Sequence, residues 1–196
     1  KKIEGRAEES LIKTAAIRSM AKAIYSTKNI GHYGLAFKFY THFTSPIRRY
    51  PDLLVHRLLE RFLGGNPIHS KDLSHYQKMA VEASEMEIRV AEAERASIRY
   101  KQVEYMKERI GQEFEGVITG VTEWGIYIEE IETKAEGMVR MRDLNDDFYE
   151  LDLKNYAIVG QRTRKRYSLG DKVRFKIIGA DLDRKTLDLA LVGRIH

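Results

Sequence analysis

Hydrophobic spacing divides the chain into a first half with the pattern of helices and a second half with the pattern of strands. Residues 9–24 carry apolar side chains four positions apart, which predicts a helix, and residues 33–40 alternate apolar with smaller or polar side chains, which predicts a short strand. Another helix is predicted from about Pro51, after a tight turn over 46–50, because a proline deeper in a helix would remove a needed amide hydrogen. Gly64–Gly65 is expected to end it.

A long helix is predicted from about Ser70 to Lys107. Apolar residues recur three or four positions apart along it and form one narrow seam, whereas Glu, Arg and Lys crowd the other faces. At 1.5 Å per residue this helix would be on the order of 55 Å long, which is more than the helical half of the chain could cover by itself. We therefore expect that an upstream part of the protein is absent from this chain. The seam consists of Tyr76, Met79, Ala83, Met86, Val90, Ala93, Ser97, Tyr100 and Val103.

Five short β-rich stretches, separated by glycines and by Asp and Asn clusters, follow residue 111. Such closely spaced short strands are typical of a small Greek-key barrel of the oligonucleotide-binding type. The predicted fold class is therefore α+β, with a mainly helical part over 1–110 and a five-stranded OB-fold barrel over 111–196, which contains an insertion over 145–169. The predicted strands cover 114–121, 125–128, 137–141, 172–180 and 186–191.

Composition narrows the class of protein only slightly. The net charge is +5 and the pI is about 9.2, which favours a polyanionic partner. The chain has no cysteine, so it can have neither a disulfide framework nor a thiolate metal site. No apolar run reaches the roughly 20 residues of a membrane helix, and no secretory signal is visible, so we expect a cytoplasmic protein without a membrane partner.

Residues 42–52 have the composition of an anion-binding helix start. Thr44 and Ser45 offer hydroxyl groups, and the first amides of the following helix have no helical partner. Arg48 and Arg49 supply planar guanidinium groups that match the geometry of a phosphate. These residues alone are equally consistent with phosphate binding and with a capped helix whose arginines pair with acidic residues of the long helix.

Asp52 and His56 are four positions apart and could share one helix face, with His42 shortly before them. An acid–base or metal role is one interpretation, because imidazole titrates near neutral pH. A structural pairing that orients the 42–52 segment is the favoured interpretation.

Two segments resemble the last signature of the catalytic domain in the ribonuclease II and ribonuclease R (RNB) family, especially its bacterial ribonuclease R branch. They are Gly-His-Tyr-Gly-Leu-Ala at 31–36 and the ungapped run His-Phe-Thr-Ser-Pro-Ile-Arg-Arg-Tyr-Pro-Asp-Leu-Leu-Val-His-Arg at 42–57. The resemblance implies processive hydrolysis of single-stranded RNA from the 3′ end, with Mg²⁺, to nucleoside monophosphates. It implies that Arg48 contacts the scissile phosphate and that Glu87 contacts the terminal nucleotide. The predicted catalytic residues are thus Arg48, Arg49 and Glu87, and Thr44, Ser45 and Tyr50 are predicted to contact RNA.

The chain departs from that family in its metal site. The family's metal-binding aspartates lie far upstream of the signature, and hydrolysis with two metal ions needs several carboxylates that converge on ions roughly 4 Å apart. Asp143, Asp146 and Asp147 lie where a barrel loop is expected, and Asp181 and Asp183 are interpreted as the ends of a hairpin turn. We therefore expect Mg²⁺ in the full-length enzyme, no metal bound to this chain, and no RNA cleavage by the chain alone.

The second half resembles the S1 RNA-binding domain along its whole length. The similarity rests on Gly-Val-Ile-Thr-Gly-Val at 116–121, Trp-Gly-Ile-Tyr-Ile at 124–128 and Gly-Met-Val-Arg-Met-Arg-Asp-Leu at 137–144. In such barrels exposed aromatic side chains stack on bases and basic groups follow the backbone. Burial in the core is the alternative for each aromatic residue, and it is as consistent as stacking for Phe114. The predicted stacking residues are Phe114, Trp124 and Tyr127, joined by Phe148 or Tyr149, and the predicted backbone contacts are Arg140 and Arg142.

The insertion contains the densest basic run in the chain, Arg-Thr-Arg-Lys-Arg-Tyr at 162–167. A solvated basic loop and a phosphate-steering surface beside the barrel both fit this run, and the second would be sensitive to salt. Under the second interpretation Arg164, Lys165 and Arg166 bind RNA.

Two other classes of function fit parts of the sequence. A non-catalytic S1-type RNA-binding module would explain the barrel, but it has no need for the signature at 42–57. An oligomerisation role would rest on the seam of the long helix alone, and truncation could produce the same self-association artificially. The leading prediction is the C-terminal part of an exoribonuclease with single-stranded RNA as its partner.

Overall fold

The computed structural model describes residues 16, 19, 20 and 22–195. Most of the helix predicted over 9–24 lies outside the described residues. Its predicted end is wrong, because residues 22–24 are not helical and the Tyr25 amide donates to Ser84 Oγ at 2.9 Å instead of continuing a helix. The contacts divide the chain into two compact units, one over 22–93 and one that includes 94–195.

The short strand predicted after Gly31 is not formed. Tyr33–Leu35 is a short 3-10 helix, capped by His32, whose Nδ1 accepts a hydrogen bond from the Leu35 amide at 3.2 Å. Gly31 and Ala36 have φ values of 72° and 55°, so the chain turns on both sides of this helix. A segment that turns at both ends has no extended run that could pair along a neighbouring strand.

Helix α1 covers Tyr50–Leu63, within one residue of the predicted start. Pro51 lies in the first turn, where its missing amide hydrogen costs no helical hydrogen bond. The Gly64 amide donates to Glu60 O at 2.9 Å, and Gly65 then adopts a φ of 75°, which suits a residue without a Cβ. The predicted turn, helix and glycine end are confirmed.

Helix α2 covers Ser70–Lys107, as predicted. Its seam is incompletely covered, since Met86 and Val90 are exposed. Among the described residues up to 93, no hydrophobic side chain is fully buried, and the two buried residues are the polar Asp52 and Ser84. The apolar positions of this unit are therefore largely open to solvent. Within the described part of the chain, no helix combines the length and the apolar character that a membrane span needs.

Among the described residues, the second unit contains eight strands, which are β1 (Glu113–Thr122), β2 (Gly125–Glu130), β3 (Glu136–Arg140), β4 (Tyr149–Asp152), β5 (Ala157–Gly160), β6 (Arg166–Ser168), β7 (Lys172–Asp181) and β8 (Thr186–Arg194). Five of them form a closed barrel in the order β1-β2-β3-β8-β7. Neighbouring barrel strands pair antiparallel, except that the third and eighth pair in parallel. The α+β class and all five predicted barrel strands are confirmed.

The barrel core is filled by alternate residues of its strands, such as Ile126 and Ile128 of β2. Val103 and Met106, in the last turns of α2, are buried in the same core. The end of the long helix therefore packs on the barrel and belongs to its compact unit. The domain boundary predicted near Gly111 stays a prediction.

The insertion over 145–169 forms a three-stranded antiparallel sheet in the order β4-β5-β6, which the sequence analysis did not predict. Tyr149, Ile158 and Tyr167 of this sheet join the hydrophobic core of the barrel. Its strands are only three or four residues long. Strands this short give too few alternations for a periodic signal in the sequence.

Candidate nucleic-acid interface

A buried carboxylate fixes the backbone of the 42–52 segment. Asp52, in the first turn of α1, is fully buried, and its Oδ2 accepts hydrogen bonds from the Ser45 amide at 2.8 Å and from Arg49 Nη2 at 2.9 Å. Burial by itself would raise the pKa of Asp52, but the bonds from Ser45 and Arg49 outweigh it and hold that pKa below its usual range. The ionised carboxylate therefore ties the segment to the helix.

The two adjacent arginines have different surroundings. Arg49 is paired with Asp52, whereas the exposed Arg48 side chain makes no ion pair within the part of the chain that the structure describes. Thr44 and Tyr50 are exposed beside them. The alternative in which both arginines pair with the long helix is wrong, because the carboxylate that binds Arg49 lies in α1. One guanidinium and one hydroxyl thus remain available to an anion.

His56 binds the segment through a different contact from that of Asp52. Its Nε2 lies 2.8 Å from Phe43 O, and its ring stacks on the Phe43 ring with the centroids 4.1 Å apart. The structural interpretation therefore fits both Asp52 and His56. Each side chain contacts the segment in front of α1, and these contacts do not link the two side chains to each other.

Tyr25, which the sequence analysis missed, connects the segment with α2. Besides the bond from its amide to Ser84, its phenol oxygen lies 3.0 Å from His42 Nδ1. Partial burial raises the pKa of Tyr25, and the negative charge of Glu87 raises it further. Glu87 therefore lies in the same polar cluster as Tyr25 and His42. No spacing pattern could connect Tyr25 with Ser84, which is 59 positions away.

Trp124 and Tyr127 lie on the outside of the barrel. Because Ile126 and Ile128 face the core, the alternation of β2 turns Tyr127 outward. Trp124, in the turn between β1 and β2, is 70% exposed. Gly120 lies opposite Tyr127, and a Cβ at this position would come within 3.2 Å of the tyrosine ring. Glycine therefore leaves room for the ring on this outer surface.

Phe114 is separate from these two residues. It is partly buried against the barrel core, and its ring centroid lies 6.1 Å from that of Phe175. It also lies six residues along β1 from Gly120, a separation of about 20 Å in a strand. For Phe114 the structure therefore fits packing against the core, which was the alternative to base stacking.

Arg140 lies beside the exposed aromatic residues, because the amide that follows it donates to Trp124 O at 2.8 Å. Its guanidinium donates to Asp188 Oδ1 at 2.7 Å, and both side chains remain more than one third exposed. Arg142 is more exposed and lies 3.8 Å from the Asp143 carboxylate. The turn before β2 and the outer surface of β2 and β3 thus bring two aromatic rings close to Arg140, and Arg142 follows two residues later in the chain.

A second buried carboxylate organises the insertion. Asp147 Oδ2 accepts hydrogen bonds from Thr163 Oγ1 and the Thr163 amide, both at 2.6 Å, and from the Arg162 amide at 3.1 Å. Its Oδ1 accepts the Phe148 amide at 2.7 Å. The bonds from Thr163, followed by those from Arg162 and Phe148, hold the pKa of Asp147 well below its usual range. The carboxylate thereby fixes the turn between β5 and β6.

The basic run of the insertion is partly neutralised. Lys165 Nζ lies 2.7 Å from Asp146 Oδ2, and Arg166 Nε donates to Ser168 Oγ at 3.0 Å. Arg164 is exposed, and its side chain has no ion pair among the described residues. Of the three residues predicted to bind RNA here, only Lys165 is therefore ion-paired among the described residues, and Arg164 and Arg166 keep an uncompensated charge.

The described residues do not fit the metal site that the resemblance implies. Among them, no three His, Cys, Asp or Glu side chains lie close enough together to hold a metal ion. Asp146 and Asp147 are occupied by Lys165 and by the turn amides. Asp181 ends β7, and its carboxylate accepts the Arg184 amide at 2.9 Å, which confirms the predicted hairpin turn.

Two family models match the chain. The RNB domain matches residues 1–65, and the S1 RNA binding domain matches residues 107–191. Ribonuclease R of Aquifex aeolicus is 44% identical over 98% of this chain, and ribonuclease R of Thermotoga maritima is 40% identical over 97% of it. The chain spans 28% of the length of each of these relatives.

Solved structures of Mycoplasma genitalium RNase R are similar to the chain along nearly its whole length. The apo form superimposes with a TM-score of 0.84 at 28% identity and covers 97% of this chain, which corresponds to 30% of that protein. The same values hold for the complex of that protein with ribose methylated single-stranded RNA. The similarity thus includes both the signature segment and the barrel.

Proposed function

Since this chain belongs to the ribonuclease R family, with a match to the RNB domain ahead of a match to the S1 domain, we propose that its protein is a processive 3′-to-5′ exoribonuclease. The complete protein would hydrolyse single-stranded RNA to nucleoside monophosphates in the cytoplasm. The observation that carries this proposal is the exposed Arg48 guanidinium, which lies on a loop that Asp52 fixes to α1.

Arg48 is proposed to contact the scissile phosphate. A free guanidinium can make two parallel hydrogen bonds to phosphate oxygens, and it stays charged at any physiological pH. The Thr44 hydroxyl and Tyr50 are exposed on the same segment and would contact the adjacent backbone. Arg49 would support Arg48 indirectly, because its own charge is used to hold the loop on Asp52.

Glu87 is proposed to bind the terminal nucleotide. It is exposed on α2 and lies in the polar cluster of Tyr25 and His42. A carboxylate accepts hydrogen bonds from hydroxyl groups, and the 2′-hydroxyl is the group that distinguishes RNA from DNA. Its position on the same compact unit as Arg48 agrees with contacts to one strand end.

The barrel is proposed to hold the single-stranded RNA. Trp124 and Tyr127 would stack on bases, and Arg140 and Arg142 would follow the phosphates. We call the outer surface formed by these four residues the barrel face. Its two rings and two guanidinium groups provide the combination of stacking and charge that sequence-tolerant binding requires.

Mg²⁺ is proposed for the complete protein, where bound metal ions would stabilise the attacking and leaving oxygens of the phosphodiester. We assign no step through the metal to the residues of this chain, because those that the structure describes do not assemble the carboxylates for it. We expect the chain alone to bind RNA without cutting it.

A non-catalytic S1-type RNA-binding module is the second candidate, and the barrel face favours it. The two candidates are separated by a titration of the chain and of the complete protein with labelled single-stranded RNA and Mg²⁺, followed by electrophoresis of the products. Shortening from the 3′ end by the complete protein and intact RNA with the chain would support the exoribonuclease. Intact RNA with both proteins would support the binding module. Sedimentation of the chain would test self-association through the seam of α2.

A further inference from the structure

The insertion carries an exposed aromatic residue and two arginines on a different sheet from the barrel face. Phe148, immediately before β4, is 74% exposed, which exceeds the value for Trp124. Its carbonyl accepts the Gln161 amide at 2.8 Å, so Phe148 lies opposite the turn that carries Arg162 and Arg164. We call Phe148, Arg162 and Arg164 the insertion surface.

Asp147 holds the parts of the insertion surface together. The amides of Phe148 and Arg162 both donate to this one buried carboxylate, and Thr163 donates to it between the two arginines. Gly160 makes the approach possible, since a Cβ there would lie 2.6 Å from Asp147 Oδ2. The backbone on both sides of the surface is therefore fixed before any ligand arrives, which reduces the entropy lost on binding.

Arg164 is an exposed arginine in the turn between β5 and β6. Its φ of 58° lies in the left-handed region, which glycine adopts without strain. Arg164 is exposed and has no ion pair among the described residues, so no contact within them explains an arginine here. The charge of Arg164 is therefore available to a ligand. Arg162 is also exposed, with its Nε 3.5 Å from Asp147 Oδ1.

We propose that the insertion surface is a second contact for single-stranded RNA, in which one base stacks on Phe148 and Arg162 and Arg164 bind the flanking phosphates. An aromatic ring can stack on a base, and guanidinium groups can bind phosphates. These are the two interactions that hold single strands. The inference rests on the proposed function, because it assumes that the barrel face holds the same RNA. The chain runs from Met141, at the edge of the barrel face, to Phe148 in seven residues, a path of at most about 25 Å. One RNA strand can therefore reach both surfaces.

The test is a binding titration of the chain with labelled oligouridines of about 4 and about 12 nucleotides, a short and a long length within the range of OB-fold site sizes. The double variant Phe148→Ala with Arg164→Gly removes the ring and one charge, and glycine suits the left-handed backbone, so the fold is retained. We expect it to bind the long oligomer about tenfold more weakly, with a salt dependence reduced by about one counterion, and the short oligomer as tightly as the parent. The matched control is Arg184→Ala, which removes one exposed positive charge from the hairpin between β7 and β8 and should leave the long oligomer bound within about twofold.

The variant Trp124→Ala separates failure of this inference from failure of the proposed function. If Trp124→Ala weakens binding of the long oligomer and the double variant does not, the insertion surface is overturned and the barrel face stands. An equal loss in Arg184→Ala and in the double variant would also overturn it, because the loss of any surface charge would then explain the effect. If Trp124→Ala loses no affinity at either length, the barrel face fails. In that case, weaker binding of the long oligomer by the double variant still supports the insertion surface, and unchanged binding overturns it.

Discussion

Arg49 Nη2 donates a hydrogen bond to Asp52 Oδ2 at 2.9 Å, and the same oxygen accepts the amide of Ser45. The pair closes a loop in front of α1, and Arg48 lies on this loop with its guanidinium in solvent. Two adjacent and chemically identical side chains therefore differ in their surroundings: Arg49 holds the loop on Asp52, and Arg48 is exposed without an ion pair among the described residues.

Arg48→Ala in the complete protein should lower turnover about 10²- to 10³-fold, the usual loss when one group that stabilises transition-state charge is removed. The affinity for RNA should fall only modestly, because many other contacts hold the strand. Single-turnover cleavage and equilibrium binding measure the two effects separately. The matched variant Arg48→Lys keeps the charge but loses the two-point geometry and should be intermediate. Unchanged turnover in Arg48→Ala would remove Arg48 from the scissile phosphate.

Asp52→Asn should destabilise the chain by on the order of 1–3 kcal/mol, since it removes the charge from a buried acceptor of two hydrogen bonds. Arg49→Ala should have a similar effect, and the two changes should be strongly non-additive because they act on one pair. Urea unfolding of the single and double variants measures this coupling. Additive losses would contradict the assignment of Arg49 as the partner of Asp52.

Trp124→Ala should weaken binding of single-stranded RNA about tenfold and leave the melting temperature nearly unchanged, because the indole is exposed. Phe114→Ala is the matched comparison: it removes a ring that packs against Phe175 and should lower the melting temperature with a smaller effect on RNA affinity. Fluorescence anisotropy and thermal unfolding distinguish the two. The reverse result would assign RNA binding to Phe114 and packing in the fold to Trp124.

Asp188→Ala should strengthen RNA binding by about two- to fivefold at low salt. The change releases Arg140 from its ion pair and removes a negative charge from the barrel face. The gain should disappear in the double variant with Arg140→Ala, which serves as the control. Weaker binding by Asp188→Ala would mean that the pair acts as a unit that positions Arg140 for RNA.

The stability of the insertion should depend on pH through the ionisation of the Asp147 carboxylate. Its pKa in the folded chain lies below the ordinary value of 3.8, so its contribution to folding is complete above about pH 4 and is lost as the pH falls through the lower folded-state pKa. Asp147→Asn should therefore be less stable than the parent at pH 7, and the difference should shrink below pH 4. Urea unfolding at pH 7, 4 and 3 measures the difference. A difference that is constant across this range would contradict the low pKa.

The sequence predicts those parts of the molecule whose signals are local. The glycines after Leu63, the apolar spacing of α2 and the alternation along β2 each lie within a few residues of the element that they specify. Local patterns failed after Gly31, where alternation suggested a strand but positive φ values and the cap from His32 favour a turn. They also failed in the insertion, whose strands are too short to show a period.

For the candidate site, too, the sequence predicted the local features and the tertiary structure decided the rest. The sequence by itself determined that Arg48 follows a capped turn before a helix, that Trp124 and Tyr127 lie at the start of a barrel strand, and that the chain resembles the RNB and S1 families. Only the tertiary structure decided which charges are free. Arg49, Arg140 and Lys165 are paired with Asp52, Asp188 and Asp146, whereas Arg48 and Arg164 are not paired among the described residues. The reason is physical: a guanidinium or ammonium group is neutralised by whichever carboxylate folding brings within about 4 Å, and several of these partners are distant in sequence.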